Sequence, residues 1–243
     1  MIESEKFSGI GKLIAGVTHE LNNPLSAILG FSQIPLMKEC SQEETRSFFE
    51  KINRSAVLCK NIIENLLSFS RRKESKKEPL HINSVIKSTM DLKQHDLQMD
   101  DVEMVYQLSD NLPVVIADIN GLQQVFLNII NNAHQAMKAC DGDRILKIQS
   151  KCNEQVISVS FRDTGPGIAK ENLQKIFEPL FTTKKRGQGT GLGLSICYEI
   201  VKEHGGNILV ASEEGEGTCF MVEIPIVTPN LETTPDNRAK ALE

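Results

Sequence analysis

The chain has 243 residues, 40% apolar and 24% charged, with a net charge of −5. That is an ordinary globular composition with room for two modest domains. The negative balance gives no support to a nucleic-acid or anionic-membrane partner. No apolar run approaches the ~20 residues of a membrane helix, and no signal peptide precedes the first element. The six cysteines are scattered without a C-x-x-C pair, the pattern of reduced, mostly buried thiols in a cytoplasmic protein.

Residues 1–72 read as helix, turn, helix. In the first helix Ile10, Leu13, Ile14, Val17, Leu21, Leu25 and Ile28 recur at helical spacing and form one stripe. Pro35 and the Lys38–Ser41 stretch interrupt it, and Ser41 and Glu44 have capping-box spacing for a second helix. There, Phe48 or Phe49, Ile52, Ala56, Cys59, Ile62 or Ile63, Leu66 and Phe69 continue a seam of period near ~3.5 residues. Two such helices cannot bury their stripes alone. Pairing with a second copy as a four-helix bundle resolves this.

The charged run Arg71–Glu78, ending at Pro79, marks a boundary, with 73–79 as linker. From residue 80 to 228 the pattern is mixed α/β. Asn83 can cap a helix through Leu97, and strands are expected at Val102–Leu108 and Val114–Ile116. Asp118 can cap a helix with Leu122, Val125, Phe126, Ile129, Ala133 and Met137 on one face. Further strands are expected at Ile145–Ser150, Val156–Phe161, Asn207–Ser212 and Thr218–Ile226, with a helix over Leu194–His204. Residues 229–243 are polar and aperiodic, an expected disordered tail whose end is in part an expression scar.

Within this second unit several motifs are suited to binding an anion-bearing ligand. Asn128 and Asn132, four apart, project from one helix face with Gln135 beside them. Neutral amide oxygens of this kind suit hydrated Mg²⁺ carried by substrate phosphates, and a solvated polar face explains them equally. Asp163-Thr164-Gly165-Pro166-Gly167 stands at a strand end. Its carboxylate could accept from an exocyclic amine while the glycines let a flat ring approach; a plain turn is the alternative. Phe177 to Arg186 joins an aromatic-anchored turn to a cationic stretch, either a lid that reaches phosphate or a basic surface loop. The run Gly187-Gln188-Gly189-Thr190-Gly191-Leu192-Gly193-Leu194 exposes backbone N–H groups and opens onto a helix N-terminus, where phosphate is favoured. Its spacing is neither a Walker loop nor a dinucleotide fingerprint. Gly215-Glu216-Gly217-Thr218 reads as a hairpin turn.

The order and spacing of these motifs resemble the successive boxes of the sensor histidine kinase catalytic domain, which shares its ATP-binding fold with gyrase-type ATPases, Hsp90 chaperones and mismatch-repair ATPases. The resemblance implies an α/β sandwich, a mixed sheet with helices on one face and ATP between them under a lid. It implies that Asp163 binds the adenine amine, that Asn132 holds Mg²⁺ with Asn128 in support, and that the glycine loop and Lys184 meet the phosphates. Gly165, Gly167, Phe177, Phe181, Thr183 and Thr218 would join the ATP site, together with Gly187, Gly189, Thr190, Gly191, Leu192 and Gly193.

In the hairpin, His19-Glu20-Leu21-Asn22-Asn23-Pro24-Leu25 resembles the phospho-acceptor box of histidine kinases, most closely the nitrogen-regulation type. The resemblance runs over residues 8–226. Helical phase agrees with it: at ~100° per residue, Ile10, Val17, Leu21 and Ile28 lie close to the opposite side from His19, with Glu20 at ~100° and Asn23 at ~40° from it, within reach of the imidazole. Pro24 would loosen the helix locally. A neutral imidazole is a competent nucleophile near neutral pH. Glu20 could bond one ring nitrogen while the other attacks the γ-phosphoryl. By resemblance the group then passes to an Asp of a response-regulator receiver domain, and Asn23 would orient water in a phosphatase reaction. Many members carry Lys or Arg where this chain has Gln135, which shifts the cationic role to Lys184, Lys185 or Arg186. The start beside the acceptor helix is expected to reflect excision from a longer sensor protein. The alternatives are a gyrase- or chaperone-like clamp ATPase and a nucleotide-binding dimerisation module without phosphotransfer.

Overall fold

The computed structural model describes residues 2–70, 76–184 and 190–226, giving the backbone alone for 2–17, 19, 20, 61 and 64–70. Two long helices, α1 (Ile2–Met37) and α2 (Gln42–Ser70), form an antiparallel hairpin. The capping box is made: Glu44 N–H donates to Ser41 Oγ at 3.2 Å, and Ser41 N–H to a Glu44 carboxylate oxygen at 2.9 Å. Phe31 and Phe48 stack at 6.0 Å between the helices, with Lys51 Nζ 4.9 Å from the Phe31 centroid. Of the two interruptions expected after the first stripe, the Lys38–Ser41 stretch separates the helices, while Pro35 stays within α1. It lies in the last turns, where losing one N–H costs a single bond, and the helix continues to Met37.

The second unit runs β1 (Glu78–Leu80), α3 (Ile82–Met99), β2 (Glu103–Leu108), β3 (Val115–Ala117), α4 (Ile119–Lys138), β4 (Ile145–Cys152), β5 (Val156–Asp163), α5 (Gly193–Glu203), β6 (Asn207–Glu213) and β7 (Gly217–Pro225). The main sheet has the order β2-β4-β5-β7-β6, with β2 and β4 parallel and the remaining pairs antiparallel. Strand periodicity sorts its side chains into rows facing α3, α4 and α5. One row is Ser150, Val159, Val222 and Ile208, and the next is Ile148, Phe161, Phe220 and Val210. Phe161 meets Phe126 of α4 at 5.3 Å between centroids, both rings being closed off from water. Lys147, Gln149, Arg162 and Leu209 take the other face, open to water at least in part.

Three details depart from the sequence reading. Residues 78 and 79, placed at the linker's end, join Leu80 in β1, which pairs antiparallel with β3, Glu78 opposite Ala117. Asn83 does not cap α3, whose N-cap is His81 without a side-chain bond. Its amide instead donates to Ser109 O at 2.7 Å and accepts from Ser150 Oγ at 2.8 Å, joining α3 to the sheet. The cysteines are free, but only Cys197 is buried, because the others lie on the hairpin, just after α4, at the exposed end of β4 and on the open sheet face. Asp118 caps α4 as expected, accepting from Asn120 N–H at 3.0 Å. Asp118 N–H donates to His204 Nε2 at 2.9 Å, while Nδ1 of that ring lies 2.7 Å from Ile200 O. With the proton on Nδ1, both bonds are satisfied and the end of α5 is pinned to the start of α4.

The two units touch through a small apolar cluster. Ile62 of α2 is buried against Leu192 and Ile196 at the start of α5, with Leu21, Leu58 and Leu180 packed around them.

Candidate active site

Strand phase places the first site residue. The row after Ile148 and Phe161 is Leu146, Asp163, Thr218 and Ser212, so a carboxylate and two hydroxyls continue the core face just where apolar residues stop. Asp163 is 3% exposed. Its Oδ1 accepts from Gly165 N–H at 2.9 Å and Thr218 N–H at 3.3 Å, while Oδ2 has no hydrogen-bond partner among the described residues. Burial pushes its carboxyl above the usual range, opposed by those two N–H bonds. A buried acceptor with one oxygen fixed and one open is arranged to receive a donor such as an exocyclic amine. Thr218 and Ser212 hydroxyls are 2.9 Å apart, and Ser212 also donates to Gly217 O and accepts from Ile168 N–H. Ser212 was missed at the sequence level, although its parity with Ile208 and Val210 could have found it.

The glycines here answer first to packing. Gly167 has φ +75°, and an added Cβ would stand 2.1 Å from Glu213 O. Gly165 lacks room for a Cβ between Asp163 and Ala136. Gly167 holds the turn after β5 close to the β6–β7 hairpin and Gly165 holds it close to α4, which keeps Asp163 in place.

On α4 the three amides have separate tasks. Asn128 donates to Gly193 O at 3.2 Å and so ties α4 to the first turn of α5. Asn132 Oδ1 and Gln135 Oε1 both accept from Lys184 Nζ, at 3.3 and 2.5 Å. Burial lowers the Lys184 pKa from its ordinary value. These neutral oxygens thus already hold a cation, and no group of three or more His, Cys, Asp or Glu capable of holding a metal is found among the described residues. That donor set fits Mg²⁺ arriving with phosphates, since such an ion needs few protein ligands.

Phe177 and Phe181 both pack on the main core, and Phe177 also meets Tyr198 of α5 at 5.8 Å between centroids. Leu180, between them, has φ +69°, and its N–H donates to Gly191 O at 3.0 Å. Gly191, with φ +62°, would clash with Leu180 if it carried a Cβ, so this glycine serves the close crossing of two loops. Thr190 Oγ1 accepts from Leu192 N–H at 3.4 Å, Leu192 is the buried N-cap of α5, and Gly193 is its first residue. The α5 N-terminus has no side-chain cap. Thr183 is exposed. Gly187 and Gly189, with Lys185 and Arg186, lie outside the described residues.

In the hairpin, His19 and Glu20 belong to α1, and their side chains lie outside the described residues. Asn23 is exposed one turn on, Leu21 is half-buried and Pro24 is buried.

Two family models match the chain: the His Kinase A (phospho-acceptor) domain over residues 10–75, and the histidine kinase-, DNA gyrase B- and HSP90-like ATPase over residues 117–228. Sporulation kinase E of Bacillus subtilis is 34% identical over 92% of this chain, and the signal transduction histidine-protein kinase AtoS of Escherichia coli 36% identical over 93%. The chain spans only 30% and 36% of their lengths. Among solved structures, the catalytic domain of histidine kinase ThkA matches at 34% identity and TM-score 0.54, over 61% of this chain and 97% of that one. Histidine kinase ThkA in complex with response regulator protein TrrA matches at 27% identity and TM-score 0.72, over 92% of this chain and 64% of that one. A helical hairpin with a phospho-acceptor box, followed by this ATPase fold, places the chain in the sensor histidine kinase family.

Proposed function

We propose that the chain is an ATP-dependent protein-histidine kinase that phosphorylates its own His19 and passes the phosphoryl group to an Asp of a response regulator. The observation that carries this is the Asp163 carboxylate, buried, half-tied and half-open, in the same chain as the His-Glu-Leu-Asn-Asn-Pro-Leu box on α1. Asp163 Oδ2 would accept from the adenine amine. Lys184, the N–H groups at the start of α5 and the glycine loop would face the phosphates. Asn132 would hold Mg²⁺, which when bound supplies positive charge against the phosphate chain. Asn128, committed to Gly193, would act by holding α5 against α4. Phe177, Phe181 and Leu180 would set the loop that delivers Lys184, and Gly165, Gly167 and Thr218 would set Asp163.

In the transfer, one imidazole nitrogen of His19 attacks the γ-phosphorus as the bond to the β–γ bridging oxygen breaks and ADP leaves. The imidazolium so formed gives its proton from the other ring nitrogen to Glu20. Loss of the phosphoryl to a receiver-domain aspartate, with the proton returned from Glu20 to the ring, restores the neutral imidazole. Asn23, exposed within this box, would orient water for the reverse signal, dephosphorylation of the regulator. The complex of ThkA with TrrA supports the regulator as partner.

The active form would be a homodimer. Leu25, Leu29 and Leu36 fall within ~40° of one line on α1, as do Phe49, Ala56 and Ile63 on α2. Leu29, Leu36 and Phe49 keep 59%, 85% and 66% of their surface exposed. A second hairpin would cover both lines as a four-helix bundle. No helix among the described residues is long and apolar enough to cross a membrane, and we place this portion in the cytoplasm.

The test is incubation with γ-labelled ATP and Mg²⁺, comparing wild type with His19→Gln. Acid-labile, alkali-stable label on wild type alone supports the kinase. ATP hydrolysis with no label on either protein, phosphohistidine turnover being excluded, favours a clamp ATPase. Label retained by His19→Gln moves the acceptor elsewhere.

A further inference from the structure

We propose that Gln135 is a positioning residue: its side-chain oxygen anchors the Lys184 ammonium at the phosphate end of the site, so that Gln135 and Lys184 act as one cationic unit. Gln135 is exposed on α4, where a long polar side chain ordinarily gains nothing from being held in one place. Here it spans to a residue 49 positions later in the chain, with Nζ to Oε1 at 2.5 Å. The bond to Asn132 is longer, at 3.3 Å. An ammonium has three donors, so two rest on α4 and one is left to face a ligand. Lys184 N–H also donates to Thr182 Oγ1 at 3.2 Å, which fixes the turn from which the side chain reaches.

The charge balance gives the pair its purpose. Among the described residues no carboxylate forms an ion pair with Lys184. Two amide oxygens orient the ammonium but leave its charge uncompensated in a partly desolvated place, a condition relieved by an incoming anion. The lowered Lys184 pKa has that same desolvation as its cause. Asn132 Oδ1 is the oxygen that a metal ion would also claim. Gln135 is the anchor free of that competition, which is why its bond, rather than Asn132's, governs where the cation stands.

This inference rests on the reading that phosphates bind beside α4, and the experiment separates the two. Equilibrium binding of ATP and of adenosine is measured on the full chain for wild type, Gln135→Leu, Lys184→Met, the double variant Q135L/K184M, and the exchange Q135K/K184Q. Adenosine lacks phosphates and reports on an intact adenine site. The expected result is a loss of about tenfold in ATP affinity for Lys184→Met, the size of one charge-assisted hydrogen bond, with adenosine unchanged. Gln135→Leu loses several-fold for ATP alone, and Q135L/K184M binds no worse than Lys184→Met, since Gln135 acts only through the lysine. The exchange recovers ATP binding to within about threefold of wild type. Normal ATP binding by Lys184→Met overturns the phosphate reading and this inference with it. A loss in Lys184→Met combined with wild-type binding by Gln135→Leu, additive losses in the double variant, or no recovery in the exchange overturns the inference alone.

Discussion

In α4 the apolar stripe from Leu122 through Phe126 and Ile129 to Met137 is closed off from water, whereas in α2 Phe49, Val57 and Ile63 keep 66%, 50% and 44% of their surface exposed. Both helices carry an apolar face at helical spacing. The difference lies in what each is layered on: α4 lies against a five-stranded sheet with α3 and α5 beside it, whereas among the described residues α2 meets α1 and, through a small cluster, the start of α5 and Leu180. Periodicity therefore shows which residues seek burial, while topology decides whether one chain can supply it. The ATPase unit carries its own core. The hairpin leaves apolar side chains open to water, and the homodimer proposed above would cover them.

The sharpest way to break this comparison is truncation of one ring in each region. Phe126→Ala should cost about 3–5 kcal/mol, read from the urea midpoint of the ATPase unit, because a buried ring packed on Phe161 leaves a cavity. Phe49→Ala should hardly change that transition and should instead weaken self-association in analytical ultracentrifugation. Equal destabilisation of a dilute monomer by both changes would remove the distinction.

Asp163→Asn separates binding from stability within the ATPase unit. An Asn Oδ1 can take the same N–H bonds from Gly165 and Thr218, but its amide then presents a donor where the carboxylate presented an acceptor. ATP affinity should fall about a hundredfold, some 2.7 kcal/mol. Thermal stability should hold or rise, since the variant buries no charge. The pH dependence has a definite sign. The Asp163 pKa is raised by burial, so the neutral acid's contribution to stability is present below the unfolded pKa and lost as pH rises through the folded one. The advantage of Asp163→Asn should open across that interval and stay level above it. A variant as unstable as a core truncation would show that the carboxylate holds the fold rather than the ligand.

His204→Ala tests a joint that no local pattern announces. It strands the Asp118 N–H, and the expected cost is about 1–3 kcal/mol in the thermal transition. The same contrast between local and distant partners explains what could be seen from residues alone. The Asp118 cap and the Ser41–Glu44 box were legible because their partners lie within a few positions, and β4, β5 and α4 because their periods are long. Asn83 had the look of a cap, yet its partners lie 26 and 67 positions away and exist only once the sheet forms. β1 is three residues at the end of a charged run, made by pairing rather than propensity. In the candidate site, Asp163, Asn132 and Lys184 were singled out from the order of motifs. Ser212 and the Gln135–Lys184 bond depend on cross-strand register and loop path, which residue types do not carry.

The smallest effect is expected at the hairpin's turn, and it bears on the comparison most directly. With so little buried, α2 relies on terms that a cored unit can neglect. Ser41→Ala removes the acceptor for Glu44 N–H and half of the reciprocal box, at a cost of about 1 kcal/mol. The Glu44 carboxyl is held below its ordinary value by the Ser41 N–H first and by Lys38 second. Its share of the box is thus present above the ordinary carboxylate pKa and lost as pH falls through the lowered one. Helix content followed by circular dichroism during heating should show the hairpin of Ser41→Ala melting earlier at low protein concentration. The shift should shrink as concentration rises, because association supplies what the cap no longer does. ATP affinity should stay at the wild-type value. A shift independent of concentration would mean the hairpin is stable by itself, and the exposed lines on α1 and α2 would then need a different occupant.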